Sequence, residues 1–188
     1  MSDDQTRDPG CDQPTANRDP AALAAAVIAE KNAAGARSGE IPGAAPGKPS
    51  GFRALLGYEV TSWRAGYAEM ALTLDSRHMN SINIVHGGLY ATLLDAACGH
   101  AATWCPVPGN TRVCVTISLT TSFLGAVSAG RIIAHGHVES VSNRIAVCRA
   151  EVLDAEGRVL AIGQGSFRYG TGSEHVAGVP RGTAAVRP

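Results

Sequence analysis

Two hydrophobic periods alternate along this chain, and the places where one gives way to the other divide it into elements. From Gly87 to Trp104 the residues are mainly Leu, Ala, Thr, Tyr, Cys and Gly, with Asp95 the one formal charge. A stretch of this length that is apolar on every face predicts a long helix enclosed by the rest of the fold. Strand-like segments flank it. Gly57 to Trp63 and Tyr67 to Asp75 predict two strands joined around Arg64-Ala65-Gly66. Thr111 to Phe123 alternates, with Val113, Val115, Ile117, Leu119 and Phe123 on one face and Cys114, Thr116, Ser118, Thr120 and Ser122 on the other. Arg131 to Val141 and Arg144 to Asp154 predict strands joined by Ser142-Asn143, and Asp154-Ala155-Glu156-Gly157 turns the chain into a last strand, Arg158 to Tyr169. Two strands, a helix and four strands form an α+β order that lets an antiparallel sheet wrap around a central helix.

The two ends lack this patterning. Residues 1–19 are rich in Asp, Pro, Gln, Asn and Arg, and residues 171–188 in Gly, Pro, Ala and Val, so both read as mobile tails. Asp19-Pro20 followed by AALAAAVIAEKNAAG predicts a capped helix ending near Gly35, and a Pro/Gly linker then runs from Ser38 to Gly51. The division is therefore a tail with one accessory helix over 1–50, a folded domain over 51–170 and a second tail over 171–188.

Composition excludes several roles. The 188 residues carry formal charge zero and 17% charged residues, below the usual quarter, with no basic stripe for nucleic acid. No apolar run approaches membrane-spanning length, and the opening residues MSDDQTRDPG are acidic and polar where a secretory signal is basic and then greasy. The expectation is a soluble cytoplasmic protein. Five cysteines, Cys11, Cys98, Cys105, Cys114 and Cys148, lack framework spacing and read as reduced thiols. Metal ligation is not expected: His100 and Cys105 are five apart and His135 and His137 alternate on one strand, without a third and fourth ligand.

Asp95 carries the chemical interest. At helical spacing its neighbours are Ala91, Thr92, Cys98, Gly99 and Ala102, all small and none able to neutralise it. A desolvated carboxylate costs several kcal/mol unless it is paired or takes up a proton, so the sequence predicts a buried functional acid with room beside it. Gly87-Gly88 add a second feature: at a helix start the backbone N–H groups are unpaired and favour negative charge, and glycine leaves the approach open.

Asn80, then His86-Gly87-Gly88 opening the helix, then an acid nine positions after the His resembles the signature of the PaaI-type (phenylacetyl-CoA thioesterase-like) branch of the hotdog-fold thioesterases. Leu55 to Leu74 is similar to that family's first hairpin, and Val115 to Gly130 and Gly157 to Phe167 to its later strands, so the likeness spans about residues 50–170. Asn83 departs from the pattern, standing where many members carry Gly. The resemblance implies a hotdog fold and hydrolysis of an acyl-CoA without a cofactor, by homodimers or dimers of dimers. In that implied site the Gly87 N–H is the main oxyanion donor, Gly88 leaves room for the thioester, and Asp95 is either general base or nucleophile. Asn80 helps hold the carbonyl, His86 orders the loop or donates to Asn80, and Thr116 aligns with a residue that positions water. Arg144, with Asn143 in the turn before it, occupies the place where similar proteins clamp the nucleotide end of CoA.

The resemblance favours arylacetyl or hydroxyaryl groups first and medium-chain fatty acyl groups second. Two rivals stand beside hydrolysis. A hotdog hydratase uses an Asp and a His five residues later, the spacing of Asp95 and His100, but five helical positions turn about 140° beyond one revolution and should make the side chains diverge. A non-catalytic acyl-CoA binder could dispense with the acid.

Overall fold

A computed structural model describes residues 51–142 and 144–185. The helix expected after Asp19-Pro20, the linker up to Ser50, and Asn143 lie outside the described residues. The described chain opens on a short helix that hydrophobic periodicity does not predict, α1 (Gly51–Leu56). Gly57 ends it, taking φ 81° and returning its N–H to the Arg53 carbonyl at 2.9 Å, the left-handed turn that glycine makes without steric cost.

Strands β1 (Glu59–Arg64) and β2 (Tyr67–Thr73) form the expected hairpin. A 3-10 turn at Ser76–His78 follows, where Asp75 accepts from the Arg77 N–H and buried His78 bridges back to the Leu56 carbonyl. Then come helix α2 (Gly87–Thr103), the two-residue strand β3 (Asn110–Thr111), β4 (Cys114–Phe123), β5 (Arg131–Ser142), β6 (Ile145–Leu153), β7 (Val159–Tyr169) and the short β8 (Val179–Pro180). The main sheet is antiparallel with order β1-β2-β5-β6-β7-β4, and α2 packs against every one of its strands. This is the hotdog arrangement, helix inside and sheet outside.

Leu93 and Leu94 of α2 meet Met70, Ile132, Val152, Leu160 and Phe167 of the sheet in a fully buried core. Helix and sheet come to backbone contact at Gly136 of β5, where any Cβ would fall on the Ala97 carbonyl. Only one side of α2 is sealed in this way. Leu89, Leu93, Ala97 and Ala101 are buried, whereas Ala91, Thr92, Asp95, Ala96, Gly99, His100 and Thr103 keep partial exposure. The expectation of a helix enclosed on every face is corrected: one chain supplies a sheet for one face, and the other borders an open cavity.

Two further readings change. The strand expected over Thr111 to Phe123 is divided, with Thr111 in β3 and regular pairing of β4 beginning at Cys114, and a bulge between Thr116 and Ser118 breaks the alternation. Since β4 pairs only with β7 it is a sheet edge, and Ile117 (56% exposed) and Phe123 (54%) face outward. Residues 171–185 are not a free tail. β8 pairs with β3, Ser173 is fully buried, and its hydroxyl and carbonyl accept from the Val113 N–H (3.1 Å) and Arg112 Nε (2.8 Å). This segment is held by backbone and single polar contacts, not by an apolar face, so it carries no periodic signal.

Candidate active site

The start of α2 is organised by the loop before it. Asn80 Oδ1 accepts from the N–H groups of Ile82 (3.0 Å) and Ile84 (3.2 Å), while the Asn80 N–H reaches the Ile84 carbonyl at 2.8 Å. This tight closure puts Asn83 at φ 58°, the one described non-glycine residue in the left-handed region. Asn is among the side chains that tolerate it best, so Asn83 keeps the backbone shape a glycine would take there.

The loop delivers His86 as the N-cap of α2. Its Nδ1 accepts from the Gly88 N–H at 2.9 Å, which leaves the ring proton on Nε2, and its carbonyl accepts from the Leu89 N–H at 2.9 Å. Of the first three N–H groups of the helix, two are thus taken locally. The third, on Gly87, has no acceptor among the described residues. His86 makes no hydrogen bond to Asn80 among the described residues, and its contact to the Gly88 N–H ties it to the loop and the helix start. Asn80 Oδ1 is likewise committed to that loop, leaving only its amide N–H groups for anything else.

Asp95 lies two turns further along α2 on the wall of a cavity of about 560 Å³. Its surroundings correct the desolvated-carboxylate reading: Asp95 is only half-buried, and its Oδ1 accepts a 2.7 Å hydrogen bond from Thr116 Oγ1 of β4. Periodicity along one helix could not reveal a partner on another element. Tyr58, Gly99, His100, Arg112 and Cys114 share the cavity wall. Burial raises the Tyr58 phenol above its ordinary pKa, Arg53 opposes that and the Asp95 charge adds to it. Sequence reasoning missed Tyr58 because it reads as one more strand residue.

Neither nucleophilic thiols nor a charged imidazole share this wall. The Cys114 thiol is pushed up to about 12, by burial first and then by the neighbouring Cys148 and Asp95, and Cys98 is raised by its hydrogen bond to Cys148 and by burial. Both remain protonated near neutrality. Burial lowers the pKa of His100, a shift its Nδ1 contact to the Ala96 carbonyl (2.8 Å) opposes. Contrary to the divergence expected on a helix, His100 borders the same cavity as Asp95, because the cavity is wide enough to take in more than one face.

The remaining site residues do not converge within one chain. Gly87 and Asp95 are eight residues apart on one straight helix, about 12 Å along its axis, too far to act on one carbonyl. Arg144, at the start of β6, donates through Nη2 to the Tyr169 carbonyl (3.2 Å) and the Thr171 hydroxyl (3.4 Å), so it is held against the β7 end of the sheet. Asn143 lies outside the described residues.

Comparison with known proteins places this geometry. The family model described as the thioesterase superfamily matches residues 82–161, the span from the loop before His86 into β7. A proposed esterase of Pseudomonas aeruginosa is 31% identical over 99 residues, 52% of this chain and 72% of its own length. Among solved structures, a thioesterase from Haemophilus influenzae superposes with TM-score 0.57 at 17% identity, covering 62% of this chain and 80% of that one. The E. coli PaaI protein from the phenylacetic acid degradation operon superposes with TM-score 0.56 at 21% identity, covering 62% and 81%. At those identities the two structural likenesses speak to the fold.

Proposed function

The chain belongs to the thioesterase superfamily and is a thioester hydrolase, and from that premise we propose that it cleaves acyl-CoA to CoA and a carboxylic acid. The observation that carries this reading is the pairing of an unclaimed N–H on Gly87 at a helix start with a carboxylate, Asp95, oriented by Thr116 on a cavity wall. Hydrolysis of a thioester needs an activated oxygen nucleophile and a place for the negative charge that develops on the carbonyl oxygen.

The Gly87 N–H, reinforced by the helix dipole, receives that oxygen. Asp95 removes a proton from water as the water oxygen attacks the carbonyl carbon. When the tetrahedral intermediate collapses, the C–S bond breaks and the proton on Asp95 passes to the departing CoA thiolate. If Asp95 attacks directly, the C–S bond breaks and CoA leaves as its thiolate while a mixed anhydride forms, and water then cleaves the anhydride, releasing the acid and restoring Asp95. Thr116 keeps the carboxylate aimed in either case. His86 and Asn80 act at one remove, by holding the loop that presents Gly87, and Gly88 keeps the approach narrow but open. Arg144 and the Asn143 turn are the proposed contacts for the nucleotide end of CoA.

The separation of about 12 Å between Gly87 and Asp95 supports a site that draws its glycine from one chain and its acid from a second copy. The open edge of β4, with Val115, Ile117 and Phe123 outward, suits a homodimer in which two such sheets join, and dimers can pair further. Aryl and arylacetyl groups are the proposed acyl class, medium-chain fatty acyl groups the second, and the reaction takes place in the cytoplasm. No described helix is long and apolar enough to cross a membrane.

The test is a purified-protein screen of acyl-CoAs by free-thiol release, with Asp95→Asn alongside. Release from at least one acyl-CoA, and a kcat lower by about 10²-fold or more in the variant with unchanged folding, is expected. Near-normal turnover in Asp95→Asn would remove the carboxylate from the mechanism.

A further inference from the structure

Glycine is, after proline, the residue least suited to a helix interior. Gly99 nevertheless stands well inside α2, twelve residues beyond its first position. Where the helix meets the sheet, packing accounts for a glycine: Gly136 of β5 has no room for a Cβ against Ala97. Gly99 has no such reason. A Cβ there would sit 3.9 Å from Cys114 Sγ and 3.9 Å from the Phe167 ring, ordinary contact distances. Its backbone carbonyl is already satisfied by Thr103 Oγ1 at 2.7 Å.

The side chains that a Cβ at 99 would meet, Cys114 and Phe167, both line the Asp95 cavity, as Gly99 itself does. A larger residue would therefore fit the fold and grow into the cavity. The place where it would intrude is one helical turn beyond Asp95, about 6 Å along the axis, on the path away from the helix start and toward His100 and Arg112. Ala96, which lines the cavity between Asp95 and this level, is also small.

We propose that Gly99 is a specificity-determining residue of the thioesterase, holding the acyl channel open just past the reacting carbonyl so that groups broad at that point, an arylacetyl ring above all, are admitted. The proposal rests on the acyl-CoA reading above. A narrow acyl group such as acetyl ends before this level and has no use for the space.

The experiment measures kcat/KM by thiol release for phenylacetyl-CoA and acetyl-CoA in the wild type, Gly99→Ala and Gly99→Val. The ratio of phenylacetyl to acetyl activity should fall about tenfold or more in Gly99→Val and by a smaller factor in Gly99→Ala, the scale of a misfit of one or two carbon atoms in an apolar pocket. The melting temperature of Gly99→Ala should be no lower than that of the wild type, because Ala replaces Gly at a helical position with space for it. An unchanged ratio in both variants, or a clear loss of stability in Gly99→Ala, overturns the assignment while leaving the enzyme reading intact. A wild type that releases thiol from neither substrate but does so from a medium-chain acyl-CoA overturns the assignment alone, and one that releases thiol from no acyl-CoA overturns both.

Discussion

Replacing Thr116 by Val removes one hydrogen bond and almost no volume, which makes it a measure of how much the orientation of Asp95 matters. The Thr116 Oγ1 to Asp95 Oδ1 distance of 2.7 Å is short, as expected for a hydroxyl donating to an ionised acceptor. Such bonds contribute about 1.5–3 kcal/mol when buried. Here Asp95 is only half-buried and Thr116 is exposed in the single chain, so solvent competes and the contribution falls below that range, to about 1–1.5 kcal/mol. If that free energy serves mainly to hold the carboxylate in its reactive rotamer, kcat falls roughly 5- to 15-fold in Thr116→Val. Thr116→Ser keeps the hydroxyl and should recover most of the rate. Steady-state thiol-release assays give kcat and KM for the three proteins, and a thermal melt checks that folding is unaffected. Equal kcat in Thr116→Val and wild type would mean that the hydroxyl does not position the acid, and the site would have to be rebuilt without it.

Two other outcomes test separate parts of the account. Side-chain hydrogen bonds from Arg77, with the Arg77 N–H, hold the Asp75 carboxyl at about 2 instead of 3.8. A lowered folded-state value stabilises above the unfolded value and is lost as pH falls through the folded one, so Asp75→Asn should flatten the decline of melting temperature between about pH 4 and pH 2; an unchanged profile would refute the 3-10 turn's contribution. His100→Ala discriminates hydrolysis from hydration, since both residues border one cavity: thioester hydrolysis should persist within about tenfold, whereas an enoyl-CoA hydration activity that disappears with His100 would favour the hydratase.

The elements that bury an apolar face were the legible ones. α2 begins at Gly87 as its pattern requires, and β5, β6 and β7 fall within a residue or two of their alternating segments, because burial against a common core imposes the period. α1 was missed although Gly57 marks its end, since its six residues bury nothing fully. Alternation over Thr111 to Phe123 locates β4 but cannot tell a face covered by its own chain from one left at an open edge, and the bulge beside Ile117 shifts the faces midway. At the site, the spacing of Asn80, His86, Gly87 and Asp95 singles out the candidate residues. It could not show that Asn80 and His86 are engaged in shaping the loop, nor that Tyr58 stands near the acid. Those facts depend on contacts between elements distant in sequence. Asn83 is the instructive intermediate: its identity departs from the glycine pattern, yet its backbone takes a positive φ, a conformation that glycine adopts without steric cost.

The claim on which the mechanism depends is that glycine and acid come from different chains. Gly87→Pro deletes the unclaimed N–H, proline is favoured in the first helical turn, and an added Cβ meets the Phe123 ring only at 3.6 Å or beyond. Asp95→Asn removes the acid. Each variant alone should be inactive. Unfolded and refolded together in equal amounts, the two should form mixed dimers in half of all pairings, and each mixed dimer has one site with both groups intact. About a quarter of wild-type activity should therefore return if the sites are independent. Mixed dimers, verified by distinguishable tags, that remain inactive would contradict the account and put Gly87 and Asp95 to work within the same chain.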